Sequence, residues 1–159
     1  MNRIHPDDDR RALVMSEMMA PGMVNFGGNV HGGQLLLLLD HVSYACASRY
    51  SGQLVVTLSV DEVFFKEPIY VGELVTFYSS INYVGNTSME VGIRVVAENL
   101  FTRIQRHTNT CYFTMVAVDD KGKPTKIPPL TINNESEQRR FNEALVRKEA
   151  RMQMFKRKK

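Results

Sequence analysis

Hydrophobic residues follow two different periods along this chain of 159 residues. From residue 34 to about 49, apolar side chains cover nearly all sides of a helix, which predicts a helix enclosed by protein. From residue 54 to 118, apolar and polar residues alternate with the period of two that is typical of strands with one buried face. The pattern therefore predicts one long helix followed by a sheet.

Turn-forming residues divide the rest of the chain into strands. A first strand is predicted at 12–19, before the helix, where Pro21-Gly22 ends it. Four more strands, forming an antiparallel meander, are predicted at 54–65, 73–84, 89–97 and about 106–118. We predict an α+β fold in which a single antiparallel sheet wraps the long central helix. Since one such layer leaves half of its surface apolar, the domain should form dimers.

Composition divides the chain into three regions. Residues 1–10 are polar and predict a flexible N-terminus, and residues 11–130 carry the folded domain. After a break at Pro128-Pro129, residues 131–159 predict a basic C-terminal helix or tail that is solvated. The net charge is only +3, so no nucleic-acid partner is predicted.

The two cysteines, Cys46 and Cys111, lie in apolar stretches without the spacing of a thiolate metal site. Reduced, buried thiols of this kind are typical of a cytoplasmic protein. The histidines also lack the spacing of metal ligands, so no metal is predicted. Because no apolar run approaches the ~20 residues that span a bilayer, no membrane association is predicted.

Asp40 is the first candidate for chemistry, because it follows five consecutive leucines in the predicted helix. An ionised carboxylate is costly to bury unless it is hydrogen-bonded or paired. In a structural interpretation, Asp40 faces a polar gap or pairs near His41 or with Tyr44. In a functional interpretation, it is a carboxylate at the edge of a site, where partial desolvation makes it a better base or nucleophile.

The glycine-rich segment 27–33 directly precedes the helix. Free backbone N–H groups at a helix N-terminus can hold an oxyanion, and His31 either caps the helix or contacts substrate. The segment lacks the lysine of a P-loop, which disfavours nucleotide binding of that kind. Asp40 lies two turns beyond Gly33, roughly 10 Å along the axis at ~1.5 Å per residue. We therefore predict an antiparallel dimer in which the loop of one subunit faces Asp40 of the other.

An ordered set of motifs resembles the acyl-CoA hydrolases of the hotdog superfamily. The sequence Asn-Val-His-Gly-Gly at 29–33, followed by Leu-Asp at 39–40, is similar to the signature of that family. Residues 60–73 resemble its central strand and the turn after it, and residues 113–128 resemble its last strand and exit. The resemblance covers roughly residues 12–130 and implies a single hotdog domain that hydrolyses acyl-CoA thioesters.

The resemblance also implies roles for individual residues. Asp40 corresponds to the catalytic carboxylate, a general base or a nucleophile, and Asn29 to a residue of the neighbouring subunit that orients water or substrate. The backbone N–H of Gly32 or Gly33 would polarise the thioester carbonyl. The implied substrate contacts are His31, Gly32, Gly85, Asn86, Thr87 and Ser88. Dimers that assemble into trimers of dimers are implied, with no cofactor beyond the coenzyme A of the substrate.

Two alternatives to hydrolysis are compatible with a hotdog domain. An enoyl-CoA hydratase of the same superfamily carries a histidine a few residues after its aspartate, whereas His41 directly follows Asp40, and adjacent helical residues point apart. A non-catalytic acyl-CoA sensor would bind DNA through a basic segment such as the C-terminal tail. No helix-turn-helix pattern precedes the domain, however, and a sensor has no need of Asp40.

Overall fold

The secondary structure elements occur in the order strand, helix, four strands, helix. They are β1 Ala12–Met18, α1 Gly32–Ser51, β2 Leu54–Val60, β3 Leu74–Val84, β4 Ser88–Glu98, β5 Gln105–Val118 and α2 Glu135–Arg157, with a short 3-10 turn at Pro21–Met23. The structure is a computed structural model that describes residues 10–157. Apart from residue 10, the predicted flexible N-terminus lies outside the described residues. The predicted α+β fold, a long helix against an antiparallel sheet, is confirmed.

All five strands form one antiparallel sheet in the order β1-β3-β4-β5-β2. The predicted meander is right for β3 to β5 and wrong for β2, which pairs with β5 at the far edge of the sheet. The reason is the connection 61–73, which is too long for a hairpin and carries the chain across to β3. β2 also ends at Val60 and not at residue 65, because the chain then turns toward the loop before α1, where the Val30 N–H donates to the Ile69 carbonyl.

The hydrophobic core lies between α1 and one face of the sheet. Side chains of α1 that are buried there include Leu35, Leu39, Val42, Cys46 and Ala47. Alternate residues of the central strands, such as Phe77, Ile93 and Phe113, point to the same side, as the pleat of a strand requires. Burying each large apolar side chain contributes roughly 1.5–3 kcal/mol, so this layer holds the fold together.

The opposite side of α1 is exposed within a single chain. Leu36, Leu37 and Tyr44 are 38%, 50% and 43% exposed. The prediction that protein encloses this helix on all sides is therefore not met by one chain alone. None of the helices within residues 10–157 is both long and apolar enough to cross a membrane.

The C-terminal helix α2 packs against the second face of the sheet, whereas the sequence predicted a solvated helix or tail. Ala144 of α2 is fully buried, and Glu90, on the outward face of β4, is only 1% exposed. Arg147 binds Glu90 at 2.6 Å, and Arg151 binds Glu90 at 3.3 Å and Asp61 at 2.6 Å. Burial raises the pKa of Asp61, and the charge of Arg151 opposes that shift. Basic residues of the tail thus neutralise acids that the sheet partly buries.

Both cysteines are buried free thiols, and burial raises the pKa of Cys46 to about 11 and that of Cys111 to about 12. We expect neither to react with a thiol reagent in the native protein at neutral pH, and both to react after unfolding. Both pKa values lie above the ordinary thiol pKa of 9.0. The protonated thiols therefore contribute fully to stability below about pH 9, and this contribution is lost as the pH rises toward 11. Denaturant unfolding across an alkaline pH series tests whether the free energy of unfolding falls as the pH rises. Rapid labelling of the native protein would contradict the prediction.

Candidate active site

Asp40 lies midway along α1, where the helix contacts β2. Its Oδ1 atom accepts a hydrogen bond of 2.6 Å from the Thr57 hydroxyl, and the residue is partly exposed. A short bond to a charged acceptor is of the strong kind, and it fixes the direction of the carboxylate. Within residues 10–157, the carboxylate makes no hydrogen bond to His41 or Tyr44. The structure thus places Asp40 at an accessible position with one firm partner on the neighbouring strand.

Thr57, the partner of Asp40, is one residue of the candidate site that the sequence interpretation missed. The alternation of β2 places Thr57 on the same face as buried Val55, which is the side that looks toward α1. A polar residue on the helix-facing side of an apolar strand was a usable signal. The pattern does not predict the contact, because 17 residues separate Thr57 from Asp40 and no local motif connects them.

His31 caps the N-terminus of α1, and its Nδ1 atom accepts a hydrogen bond of 3.1 Å from the Gly33 N–H. The capping alternative for His31 is thereby confirmed. It also means that the Gly33 N–H, predicted as an oxyanion donor, is already engaged. The Gly32 N–H has no acceptor in the part of the chain that the structure describes, as is usual for the first helical turn. Of the two predicted donors, Gly32 is therefore the one available to a substrate carbonyl.

The loop before α1 is closed by Asn25. Its Oδ1 atom accepts hydrogen bonds from the Gly27 N–H at 2.8 Å and the Asn29 N–H at 3.3 Å. The backbone N–H of Asn25 also donates to the Asn29 carbonyl at 2.7 Å. Between them Gly28 has a φ of 84°, a conformation that favours glycine. The side-chain amide of Asn25 has no acceptor among the described residues and is free to donate.

A cleft of about 390 Å³ opens beside the N-terminus of α1. Its lining consists of Asn25, Asn29, Val30, Gly32, Leu35 and residues 65–69. The volume is in the range of small-molecule sites, about 300–1,000 Å³. Asp40 does not line this cleft, in agreement with the predicted separation of two helical turns. A single protomer therefore presents the helix N-terminus and the carboxylate at two different places.

Four of the predicted substrate contacts lie in the tight turn between β3 and β4 and at the first residue of β4, namely Gly85, Asn86, Thr87 and Ser88. The Gly85 N–H donates to the Ser88 carbonyl at 2.8 Å, and the carbonyls of Asn86 and Thr87 accept from Ile127 and Ala117. None of these four residues lines the cleft beside Gly32. Within one chain, the structure thus brings Asn29 and Gly32 together and leaves the turn apart from them.

Of the predicted residues, Ser88 lines a different, smaller cleft of about 110 Å³, together with Glu90 and Lys148. A cleft of about 510 Å³ lies between the end of β2 and α2, and its lining includes Asp61, Arg147 and Arg151. Within residues 10–157, no three His, Cys, Asp or Glu side chains are grouped as ligands for a metal ion. Among the described residues, the features that fit the predicted chemistry are Asp40 with Thr57 and the cleft at Gly32.

Comparison with known proteins places the chain in a family. The model of the thioesterase superfamily matches residues 27–100. Protein VdlD of Helicobacter pylori is 56% identical over 143 residues, which cover 90% of this chain and 82% of that protein. A hexameric acyl-CoA thioesterase of known structure is 34% identical, with a TM-score of 0.87 and coverage of 91% of this chain and 93% of that chain.

A second similar structure is an acyl-CoA hydrolase of Staphylococcus aureus in complex with butyryl coenzyme A and coenzyme A. It is 27% identical with a TM-score of 0.83, and the match covers 94% of this chain and 93% of that chain. Variants of that hydrolase in which an aspartate, an asparagine or a threonine is replaced by alanine match as well. This chain therefore belongs to the acyl-CoA hydrolases of the thioesterase superfamily and is a thioesterase with the hotdog fold.

Proposed function

We propose that this thioesterase hydrolyses acyl-CoA to a free carboxylic acid and coenzyme A at a site shared by two protomers, with Asp40 as the catalytic carboxylate. The observation that supports this most is the bond of 2.6 Å from Thr57, which holds Asp40 on the accessible side of α1. A carboxylate with a fixed direction and a free oxygen is what proton transfer or nucleophilic attack requires.

The proposed chemistry needs no cofactor, because a thioester is already activated for acyl transfer. Asp40 takes a proton from water as the water oxygen attacks the thioester carbon, or it attacks that carbon directly to give an anhydride that water then opens. The carbonyl oxygen becomes an oxyanion, which the Gly32 N–H and the helix dipole stabilise. The C–S bond then breaks, and the sulfur of coenzyme A leaves as a thiolate or takes up the proton.

The apolar surface of one protomer supports a site made by two. Leu36 and Leu37 of α1 are exposed, and β2 is an edge strand whose exposed side chains include Leu54, Val56 and Leu58. An apolar face next to an unpaired strand edge is unstable in water unless a partner covers it. A second copy, with its α1 antiparallel to the first, would bring Gly32 of one protomer toward Asp40 of the other. The hexameric relatives support further assembly into a trimer of dimers.

The second polar residue of the site is proposed from its sequence spacing to Asp40 and from its contacts. In the S. aureus hydrolase, the altered aspartate and threonine are 17 residues apart, as Asp40 and Thr57 are here. The altered asparagine of that protein precedes its aspartate by fifteen residues, and Asn25 has that spacing in this chain. Both Asn25 and Asn29 line the cleft, and we favour Asn25 because it has this spacing and because the Gly27 and Asn29 N–H groups hold its Oδ1 atom, which directs its amide.

Replacing Thr57 by valine is expected to lower kcat about 10- to 100-fold, the effect of losing a hydrogen bond to a charged group worth about 1.5–3 kcal/mol. Valine keeps the shape of threonine and removes the hydroxyl that directs Asp40. Thr57→Ser, which keeps the hydroxyl, is the control and should retain most of the activity. Steady-state hydrolysis of one acyl-CoA compares the three proteins, and a Thr57→Val enzyme with wild-type kcat would contradict the role of this bond.

Mixed oligomers test the two-protomer site. Asp40→Asn and Asn25→Asp proteins are each expected to be weakly active, and Asn25→Asp keeps the oxygen that closes the loop. When the two are dissociated, mixed and reassembled, activity should return to about a quarter of wild type, because half of the dimers are hybrids and each hybrid has one intact site. No recovery in verified hybrids would place both residues in one protomer. The same experiment with Asn29→Asp decides between the two asparagines.

The cytoplasm is the proposed location, because the two free cysteines are buried and reduced, as is typical of that compartment. Fractionation of the cells that produce the protein tests this directly.

A further inference from the structure

We propose that Arg106 is a positioning residue for the active site, holding the N-terminus of α1 in place through Glu73. The inference rests on the proposed function, in which the Gly32 N–H stabilises the oxyanion. Arg106 lies at the start of β5 and does not line the cleft at Gly32. Its effect on the reaction is therefore exerted through the backbone that it fixes.

Arg106 and Glu73 form an ion pair in which one guanidinium nitrogen contacts both carboxylate oxygens. The Nη2 atom of Arg106 lies 2.6 Å and 2.8 Å from the two carboxylate oxygens of Glu73. The Glu73 side chain is only 6% exposed and that of Arg106 24% exposed, so water screens this pair far less than a surface pair. The guanidinium group also donates to the Pro68 carbonyl at 2.8 Å and lies 5.5 Å from the centre of the Tyr70 ring.

The same carboxylate closes the turn that precedes β3. Oε2 of Glu73 accepts from the Tyr70 N–H at 2.9 Å, and the Glu73 N–H donates to the Tyr70 carbonyl at 3.2 Å. Gly72, at a φ of 83°, allows the chain to reverse there. Arg106 thus holds the segment from Pro68 to Glu73 at both ends, through the Pro68 carbonyl and the Glu73 carboxylate. We call this segment with Arg106 the clamp.

The clamp is the backbone partner of the loop that enters α1. The Val30 N–H donates to the Ile69 carbonyl at 2.8 Å, and Asn29 and Tyr70 form a bridge. Gly32 follows two residues after Val30, and residues 65–69 form the facing wall of the same cleft. Because Pro68 and Ile69 belong to both the clamp and the wall, and Ile69 anchors the loop, a shift of the clamp moves the oxyanion donor and this part of the wall together.

Positioning of this kind acts on the chemical step, since a misplacement of about 1 Å can lower the rate about 10²-fold. Arg106→Lys keeps the charge but has a single nitrogen, so it cannot bind the Glu73 carboxylate and the Pro68 carbonyl with separate nitrogens as the guanidinium group does. Glu73→Gln keeps one acceptor oxygen and loses the charge. We expect each to lower kcat between about 10- and 100-fold while KM changes less than about threefold.

The double variant Glu73→Gln/Arg106→Lys should lose little more kcat than the more damaging single variant, because both changes break one clamp. The matched control is Arg139→Lys, which alters an exposed pair with Glu143 on α2 and should stay within about twofold of wild type. Variants that lose thermal stability but keep wild-type kcat would overturn the inference, and so would losses that add up in the double variant.

Hydrogen exchange gives a readout that does not depend on activity or on full stability. Amides of residues 29–33 should exchange at least about tenfold faster in folded Arg106→Lys than in wild type, whereas amides of β4 should not change. Unchanged exchange at 29–33 would overturn the inference. If wild type itself released no coenzyme A, the proposed function would fail, and the exchange experiment would still decide on the clamp.

Discussion

Replacing Asp40 by asparagine is expected to lower kcat for acyl-CoA hydrolysis by at least ~10²-fold while the protein stays folded. Asparagine has the shape of aspartate and keeps an oxygen that can accept the hydrogen bond from Thr57. It removes the negative charge that either a general base or a nucleophile requires. The comparison is made on kcat, with thermal unfolding and size-exclusion chromatography to show that fold and assembly are retained.

A matched control is Asp120→Asn, in the exposed turn after β5, which should leave kcat within about twofold of wild type. An Asp40→Asn enzyme with wild-type kcat would remove this carboxylate from the mechanism. A similar loss in Asp120→Asn would show that the assay responds to overall charge and not to the site.

The second large effect is expected on stability. Replacing Arg147 by methionine should lower the free energy of unfolding by about 3 kcal/mol, because it leaves the buried carboxylate of Glu90 without its closest cation. Glu90 is 1% exposed, and Arg147 is its closest partner at 2.6 Å, with Arg151 farther away at 3.3 Å. Methionine keeps an apolar stem in the place where Arg147 covers the Tyr112 ring, so the loss reports mainly on the charge.

Urea unfolding measures this change, and Arg139→Met serves as its control. The side chains of the Arg139–Glu143 pair are 64% and 44% exposed, so its removal should change stability by less than about 0.5 kcal/mol. Equal effects of the two substitutions would show that α2 is not held by the buried pair.

Local patterns predicted the parts of this protein that local physics determines. The apolar run at 35–39 and the glycine-rich loop before it located α1 and its beginning, and Gly85 with Asn86 located the turn between β3 and β4. Asp40 stood out because a carboxylate is anomalous after five leucines. Each of these signals extends over only a few residues, and the elements that they predict are present in the structure.

The pattern of apolar and polar residues did not predict contacts between segments that are distant in sequence. The pairing of β2 with β5, the bond between Thr57 and Asp40, and the ion pair of Glu90 with Arg147 join positions that are far apart in sequence. The alternation of a strand determines which residues share a face, but the choice of neighbouring strand depends on how the whole sheet closes. The bond from the Gly33 N–H to His31 was not predicted for a related reason, since whether His31 caps the helix depends on its rotamer.

The docking of α2 also bears on the sensor alternative. Two of the basic residues that a DNA-binding tail would use, Arg147 and Arg151, are paired with Glu90 and Asp61 against the sheet. Phosphate contacts would require these cations to leave partly buried acids without partners, which is costly. The arrangement therefore favours a structural role for this part of the helix over DNA binding.

Hydrolysis that depends on Asp40 is measured by the release of free coenzyme A thiol from acetyl-, butyryl-, octanoyl- and palmitoyl-CoA by the wild-type protein, with Asp40→Asn in parallel. We expect saturable release of thiol from at least one of these thioesters by wild type and at least ~10²-fold slower turnover by the variant. Tight binding of acyl-CoA without any release of thiol, or equal release by both proteins, would contradict it.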